Sequence, residues 1–224
     1  MAIFITGGAR SGKSDFAERY AMRLAAGAVY IATSQIWDEE MRQRIGLHRS
    51  SRAASGYSWR TIEEPFGLAE TLQTLEEQFS RAEQRPAVVV DCLTLWLSNQ
   101  LLRLEPADGK GDPASAEANE AVQTEVTATT KEIGENPDTD PAEDPLDGLV
   151  DQLAAAVAAY RGPLLLVTNE VGSGIVPAYA LGRRFRDAAG RMNRKLASVC
   201  EEAYLVVAGF PLDLKKLAFR LEDA

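Results

Sequence analysis

Soft metal ligands are scarce in this sequence: two cysteines, Cys92 and Cys200, and one histidine, His48, in 224 residues. The cysteines lie far apart and each adjoins an apolar stretch. That predicts reduced, semi-buried thiols and argues against a disulfide, a zinc site or an iron-sulfur cluster. Also lacking is any run of roughly 18 apolar residues, which a membrane-spanning helix requires, and the N-terminus has neither the charged nor the apolar region of a signal peptide. The expectation is a soluble, cytoplasmic protein with no membrane span. Hydrophobic residues make up 46% of the chain, enough to build a sizeable core in one globular domain.

Positive charge is short as well, with a net of -9 that argues against a nucleic-acid partner. The deficit is local. Residues 104–148 hold 13 Asp or Glu against 2 Lys, a net of -11, so the remainder of the chain carries about +2. The acidic segment is rich in Ala, Pro and Thr and almost devoid of large apolar residues. It cannot bury enough surface to offset its ordering entropy and reads as a flexible surface insertion in a single domain spanning 1–224.

Around that insertion the signals alternate. Strands are expected at 2–6, 28–32, 57–62, 87–91, 163–168 and 203–208, the last of them. Helices are expected at 12–26, 38–49, 66–80, 93–102, 146–161 and 181–202, with an amphipathic tail from Pro211. Ala87 to Asp91 (AVVVD) is a continuous run without alternation, as in a strand buried on both faces. The order predicts an α/β fold with a mainly parallel sheet and helices on both faces, its ligands beyond the carboxyl ends of the strands.

What is present at the N-terminus is specific. Gly7-Gly8-Ala9-Arg10-Ser11-Gly12-Lys13-Ser14 satisfies G-x-x-x-x-G-K-[ST] and sits between an apolar strand and a helix, the context a phosphate-binding loop needs. The glycines let backbone N–H groups curl round a β-phosphate, Lys13 supplies charge to the β and γ groups, and Ser14 is placed to ligate Mg2+. The competing reading is a Gly-rich turn that precedes Lys-Ser by chance. A nucleoside triphosphate site also calls for an acid at the end of a neighbouring buried strand. Asp91 is the candidate metal ligand, although an Asp there also serves as a helix N-cap. Asn169 is followed by Glu170 and Val171, so the N-K-x-D motif of switch GTPases is missing there. Asn169 and Glu170 read equally as site residues or as turn formers.

His48 would share a helix face with Met41 and Ile45, with Arg44 and Arg52 one turn to either side. Flanking cations stabilise a neutral imidazole and attract phosphate. Such a group can act as base, nucleophile or donor, or be an ordinary surface histidine, and spacing alone does not choose. The arginines at 183, 184, 186, 191 and 194 read either as a solvated helix face or as phosphate or subunit contacts.

GGARSGKS, YIATSQIWDEEMRQRIGLHRSSR (30–52), WRTIEEP (59–65), VVVDCLTLWLSN (88–99), VTNEVGSGIVP (167–177) and RRFRDAAGRMNRKLA (183–197) together resemble the bifunctional adenosylcobinamide kinase / adenosylcobinamide-phosphate guanylyltransferase family of cobalamin biosynthesis. The resemblance implies a P-loop fold and two transferase reactions. In one, a nucleoside triphosphate, ATP or GTP, phosphorylates adenosylcobinamide. In the other, GTP gives GMP to a histidine, here His48, and the GMP passes to adenosylcobinamide phosphate to form adenosylcobinamide-GDP. It implies catalytic roles for Lys13 and His48. It also implies guanine-nucleotide contacts at Gly7, Gly8, Ala9, Arg10, Ser11, Gly12, Lys13 and Ser14, at Ala32, Thr33 and Ser34, at Arg49 and Arg52, and at Glu63 and Asp91. A small homo-oligomer such as a trimer is implied too. The family pattern tends to have Gln where this chain has Arg194. Two other readings remain at this point: a kinase using only the phosphate loop, and a nucleotide-binding adaptor whose acidic insertion binds a partner.

Overall fold

The computed structural model describes residues 1–35, 46, 50, 52–104 and 144–219. Seven strands, β1 (Ala2–Gly7), β2 (Gly27–Ala32), β3 (Ser58–Glu63), β4 (Ala87–Asp91), β5 (Leu164–Val167), β6 (Glu202–Val207) and β7 (Phe210–Asp213), form one sheet in the order β3-β2-β4-β5-β1-β6-β7. Neighbours run parallel except β6 and β7. The expected α/β architecture with a mainly parallel sheet is thus present. The helices lying wholly within the described residues are α1 (Lys13–Leu24), α2 (Leu68–Phe79), α3 (Leu93–Leu104), α4 (Pro145–Ala159), α5 (Ala180–Val199) and the short α6 (Leu214–Leu217).

Alternation along the central strands divides the core between two faces, because successive strand side chains point to opposite sides. Phe4, Val29, Ile31, Val88, Val90, Leu164 and Leu166 pack with the apolar stripes of α2 to α5, including Leu72, Leu97, Leu153 and Met192. Ile3, Ile5, Val89, Leu165 and Val167 face the other way, onto Ala17 and Ala21 of α1. The small side chains of α1 let its backbone lie close to the sheet, directly behind the turn at the end of β1. The AVVVD strand is buried on both faces, Ala87 to Val90 being fully inaccessible.

Two expectations need correction. The strand expected at 203–208, here β6, is not the last: β7 follows it, at the edge of the sheet, where a tail was expected. Ala208 (φ 50) and Gly209 (φ 85) both adopt positive φ, the backbone of a tight two-residue hairpin turn. Ala-Gly is a weaker signal for that turn than Asn-Gly, and Pro211 reads as a strand breaker, although Pro is tolerated on an edge strand such as β7. The long helix also ends at Val199 rather than Glu202, because Glu202 pairs with Ile3 of β1. The helix expected over 38–49 lies outside the described residues apart from Gly46, which is helical, as are Ser50 and residues 52–54. The acidic segment lies outside them from 105 to 143. The described chain resumes at Asp144, whose side chain caps α4 by accepting from the Leu146 N–H. Asp144 also pairs with Arg184 and Arg191, and Arg191 with Asp147, so these arginines of α5 are held against α4.

Cys92 and Cys200 are free and buried, more so than the semi-buried thiols expected. Burial pushes each thiol up to about 12, the neighbouring Asp91 charge adding to the effect at Cys92. An unfolded thiol titrates near 8.5, so folding is insensitive to these groups below that pH and is progressively destabilised above it, by up to about 1.4 kcal/mol per pH unit per thiol. The urea midpoint is expected to fall between pH 8.5 and 10.5 by more than it does in a Cys92→Ala, Cys200→Ala double variant. At pH 8 a thiol reagent should label both cysteines only after denaturation.

Candidate functional site

β1 delivers the chain into the phosphate loop at Gly7. A Cβ there would stand 2.5 Å from the Val206 carbonyl oxygen and 2.7 Å from Ser11 Oγ, so no other residue fits. The loop closes on itself through Ser11 N–H to the Gly8 carbonyl at 3.3 Å, and Gly12 at φ 92 begins α1 in a left-handed conformation. No side chain caps α1. Its first N–H groups are therefore open to an anion, with the positive end of the helix dipole behind them. Lys13, buried to 8% exposure, folds its Nζ back to the Gly8 carbonyl at 3.1 Å, where it spans the mouth of the loop. Ser11 Oγ is buried with no hydrogen-bond partner, and Gly8, Ala9 and Arg10 are exposed on the rim. An orphaned hydroxyl, open amides and a lysine gathered on one loop fit a chain of phosphates.

Asp91 closes β4, two strands from β1, with β5 between. Its Oδ2 accepts the Tyr30 hydroxyl at 2.9 Å. Burial and then the Asp91 charge push the Tyr30 phenol well up, so it stays a donor and orients the carboxylate. Ser14 is half-buried at the start of α1. Hydroxyl and carboxylate are hard oxygen donors suited to Mg2+, which takes few protein ligands and completes its shell with phosphate oxygens and water. Among the described residues no cluster of three His, Cys, Asp or Glu could hold a metal alone.

The remaining expected contacts have mixed positions. Thr33 is fully buried; its hydroxyl donates to the Cys92 carbonyl at 2.7 Å and accepts the Cys92 N–H at 2.9 Å, while Asn99 donates to its carbonyl. Thr33 therefore clamps β2 to the end of β4. Ala32 and Ser34 flank it, half-buried at the carboxyl edge, and Glu63 ends the edge strand β3, exposed. Arg52 is only 5% exposed: it pairs with Glu18 of α1 at 2.9 Å, and its guanidinium lies 3.7 Å from the centre of the Tyr30 ring. A cation so placed anchors the chain after residue 51 to α1 and to the tyrosine that holds Asp91. His48 and Arg49 lie outside the described residues.

Sequence reading singled out neither Glu18 and Tyr30 nor a second group beside the loop. Thr94 and Thr168 hydroxyls meet at 3.2 Å, Thr168 Oγ1 donates to Asn193 Oδ1 at 2.9 Å, and Asn193 Nδ2 donates to the Asn169 carbonyl at 3.1 Å. Asn193 in GRMN, on a face otherwise apolar, was the one available clue. Glu170 N–H donates to the Gly7 carbonyl at 3.1 Å, and Gly209 N–H to the Ser11 carbonyl at 2.8 Å, so strands on both sides of β1 grip the loop.

A parallel sheet with a lysine-bearing glycine loop between its first strand and first helix, and an acid two strands away, defines a P-loop nucleotide-binding protein. The sequence pattern of the family described as "Cobinamide kinase / cobinamide phosphate guanyltransferase" matches residues 3–214. The chain is 38% identical over 215 residues to the bifunctional adenosylcobalamin biosynthesis protein CobP of Pseudomonas aeruginosa, covering 96% of this chain and 98% of that protein. It is 38% identical over 217 residues to CobU of Salmonella typhimurium and 35% over 216 residues to CobU of Escherichia coli, each match covering 96% of this chain and 100% of the relative. The chain belongs to the cobinamide kinase / cobinamide phosphate guanyltransferase family of transferases.

Arg52→Ala removes the ion pair to Glu18 and the cation over the Tyr30 ring. The expected result is a loss of about 1–3 kcal/mol in urea unfolding, the range for a hydrogen bond to a charged group in a largely buried setting. A stability unchanged within error would remove the anchoring role.

Proposed function

We propose that this chain phosphorylates adenosylcobinamide with ATP or GTP. We further propose that it transfers GMP from GTP, through a covalent intermediate on His48, to adenosylcobinamide phosphate, giving adenosylcobinamide-GDP. The observation that carries this reading is the phosphate loop, with Lys13 across its mouth and an uncapped helix behind it, in a chain of a family named for both transfers. In this reading the chain is one P-loop domain with a surface insertion near 104–148, working in the cytoplasm as a small homo-oligomer.

In the first reaction the acceptor hydroxyl attacks the γ-phosphorus, the bond to the β–γ bridging oxygen breaks, and a nucleoside diphosphate leaves. Lys13 and the amides of Gly8 to Ser14 hold the β and γ groups in line and offset the charge that spreads over them. In the second, an imidazole nitrogen of His48 attacks the α-phosphorus of GTP and pyrophosphate departs. A phosphate oxygen of the corrinoid then displaces the imidazole, so one encounter between two polyanions becomes two easier displacements. Mg2+, held by Ser14 and Asp91, would neutralise phosphate charge in both reactions. Tyr30 keeps the Asp91 carboxylate aimed, and the buried Arg52 ties the chain that follows His48 to α1.

The test uses Mg2+ and GTP labelled at the α-phosphate. An acid-labile, alkali-stable protein adduct is expected in the wild type and none in His48→Ala, while His48→Ala retains phosphorylation of adenosylcobinamide. Lys13→Ala should lose both reactions by at least about 100-fold, as when a charge-stabilising donor is removed. Absence of labelling in the wild type would sink the guanylyl transfer, and labelling that persists in His48→Ala would sink the role of that residue.

A further inference from the structure

The phosphoryl transfer leaves one proton without a destination, that of the acceptor hydroxyl. We propose that the carboxylate of Glu170 takes it, acting as the catalytic base of the kinase step; the proposal rests on the kinase reading given above.

The position follows from strand order. β5 lies between β1 and β4, with Val167 level with both Ile5 and Asp91. The chain therefore leaves the sheet at 168–170 midway between the phosphate loop and Asp91, where the γ-phosphate and the incoming hydroxyl must meet. The backbone there is held from three directions. Thr94 Oγ1 accepts the Asn169 N–H at 2.7 Å, Asn193 Nδ2 donates to the Asn169 carbonyl, and Glu170 N–H is bound to the Gly7 carbonyl. Thr94, Thr168 and Asn193 are exposed by only 8%, 0% and 7%. A buried polar network is costly unless complete, and when complete it imposes one geometry. Here three buried side chains fix the backbone of a single rim residue, and the next side chain, Glu170, is left exposed to an incoming substrate.

The other carboxylates of this edge have competing commitments. Asp91 accepts the Tyr30 hydroxyl and is the candidate metal ligand. Glu64 accepts the N–H groups of Phe66 and Gly67, and Asp15 pairs with Arg19 along α1. Glu63 ends β3, four strands from β1 and so roughly 19 Å away at the usual spacing between strands. A base must come within about 3 Å of the proton it removes. Glu170 is tied through its own N–H to the first residue of the phosphate loop. In the step, the hydroxyl O–H bond breaks and its proton passes to a Glu170 carboxylate oxygen. The hydroxyl oxygen bonds to the γ-phosphorus as the bond to the bridging oxygen breaks, that electron pair leaves with the nucleoside diphosphate, and the proton returns to water after release.

Glu170→Gln keeps the shape and removes the base. With full-length protein, Mg2+, ATP and adenosylcobinamide, kcat should fall about 100-fold or more, the usual contribution of a general base, with KM for ATP within about threefold and part of kcat recovered by Glu170→Asp. Labelling by α-phosphate-labelled GTP, which does not use this proton, should persist. A Glu170→Gln kcat within about threefold of the wild type overturns the assignment, as does parallel loss of nucleotide binding and GMP labelling, which marks a residue that only holds the loop. A wild type that phosphorylates no adenosylcobinamide overturns the kinase reading itself, and the base with it.

Discussion

The turn out of β1 at Gly7 has no room for a side chain, and the rest of the site depends on that. With the Val206 carbonyl and Ser11 Oγ occupying the space a Cβ would need, the backbone can fold back tightly enough for its amides to converge. The same closeness brings β6 on one side and the chain after β5 on the other into hydrogen-bond range of the loop. The Gly7 and Ser11 carbonyls are both taken by N–H groups from those neighbours. A loop that must surround several negative charges gains from such support, because donors already aimed need not reorganise as charge develops.

Two polar assemblies extend this support to either side of Asp91. On the β2 side, Glu18, Arg52 and Tyr30 form a chain that ends on the Asp91 carboxylate. On the β5 side, Thr94, Thr168 and Asn193 hold the backbone of Asn169. Both are largely removed from water, where an unmatched polar group is expensive and a matched one is rigid. Their members come from distant parts of the chain, so the apolar core alone would not fix their relative positions to the precision that in-line displacement needs.

Distance along the chain also explains what sequence could and could not disclose. The phosphate loop and the AVVVD strand were legible because they are local: a contiguous motif and an unbroken apolar run. Tyr30 with Asp91, or Thr168 with Asn193, cannot be paired from sequence without the fold that joins them. Arg52 carries a further partner that no local signal gives: beside a histidine and among other arginines it reads as a phosphate contact, and the fold adds a buried ion pair with Glu18, one turn along α1 from Ser14. β7 was missed because its turn uses Ala208 at positive φ and its strand carries Pro211, both poor local signals that edge position makes acceptable.

The strand order also bears on how one loop could serve two chemistries. Asp91 sits between β2 and β5, level with Ala32 on one and Val167 on the other. The chain that carries His48 leaves from β2, whereas Glu170 leaves from β5. In the proposed reading, the segments that lead to the nucleophile for the α-phosphorus and to the base for an acceptor at the γ-phosphorus therefore leave the sheet from strands on opposite sides of the acid proposed to hold the cation. In-line attack at α and at γ requires leaving groups to depart in different directions along the same triphosphate. A single approach path could not serve both, and two paths flanking one cradle can.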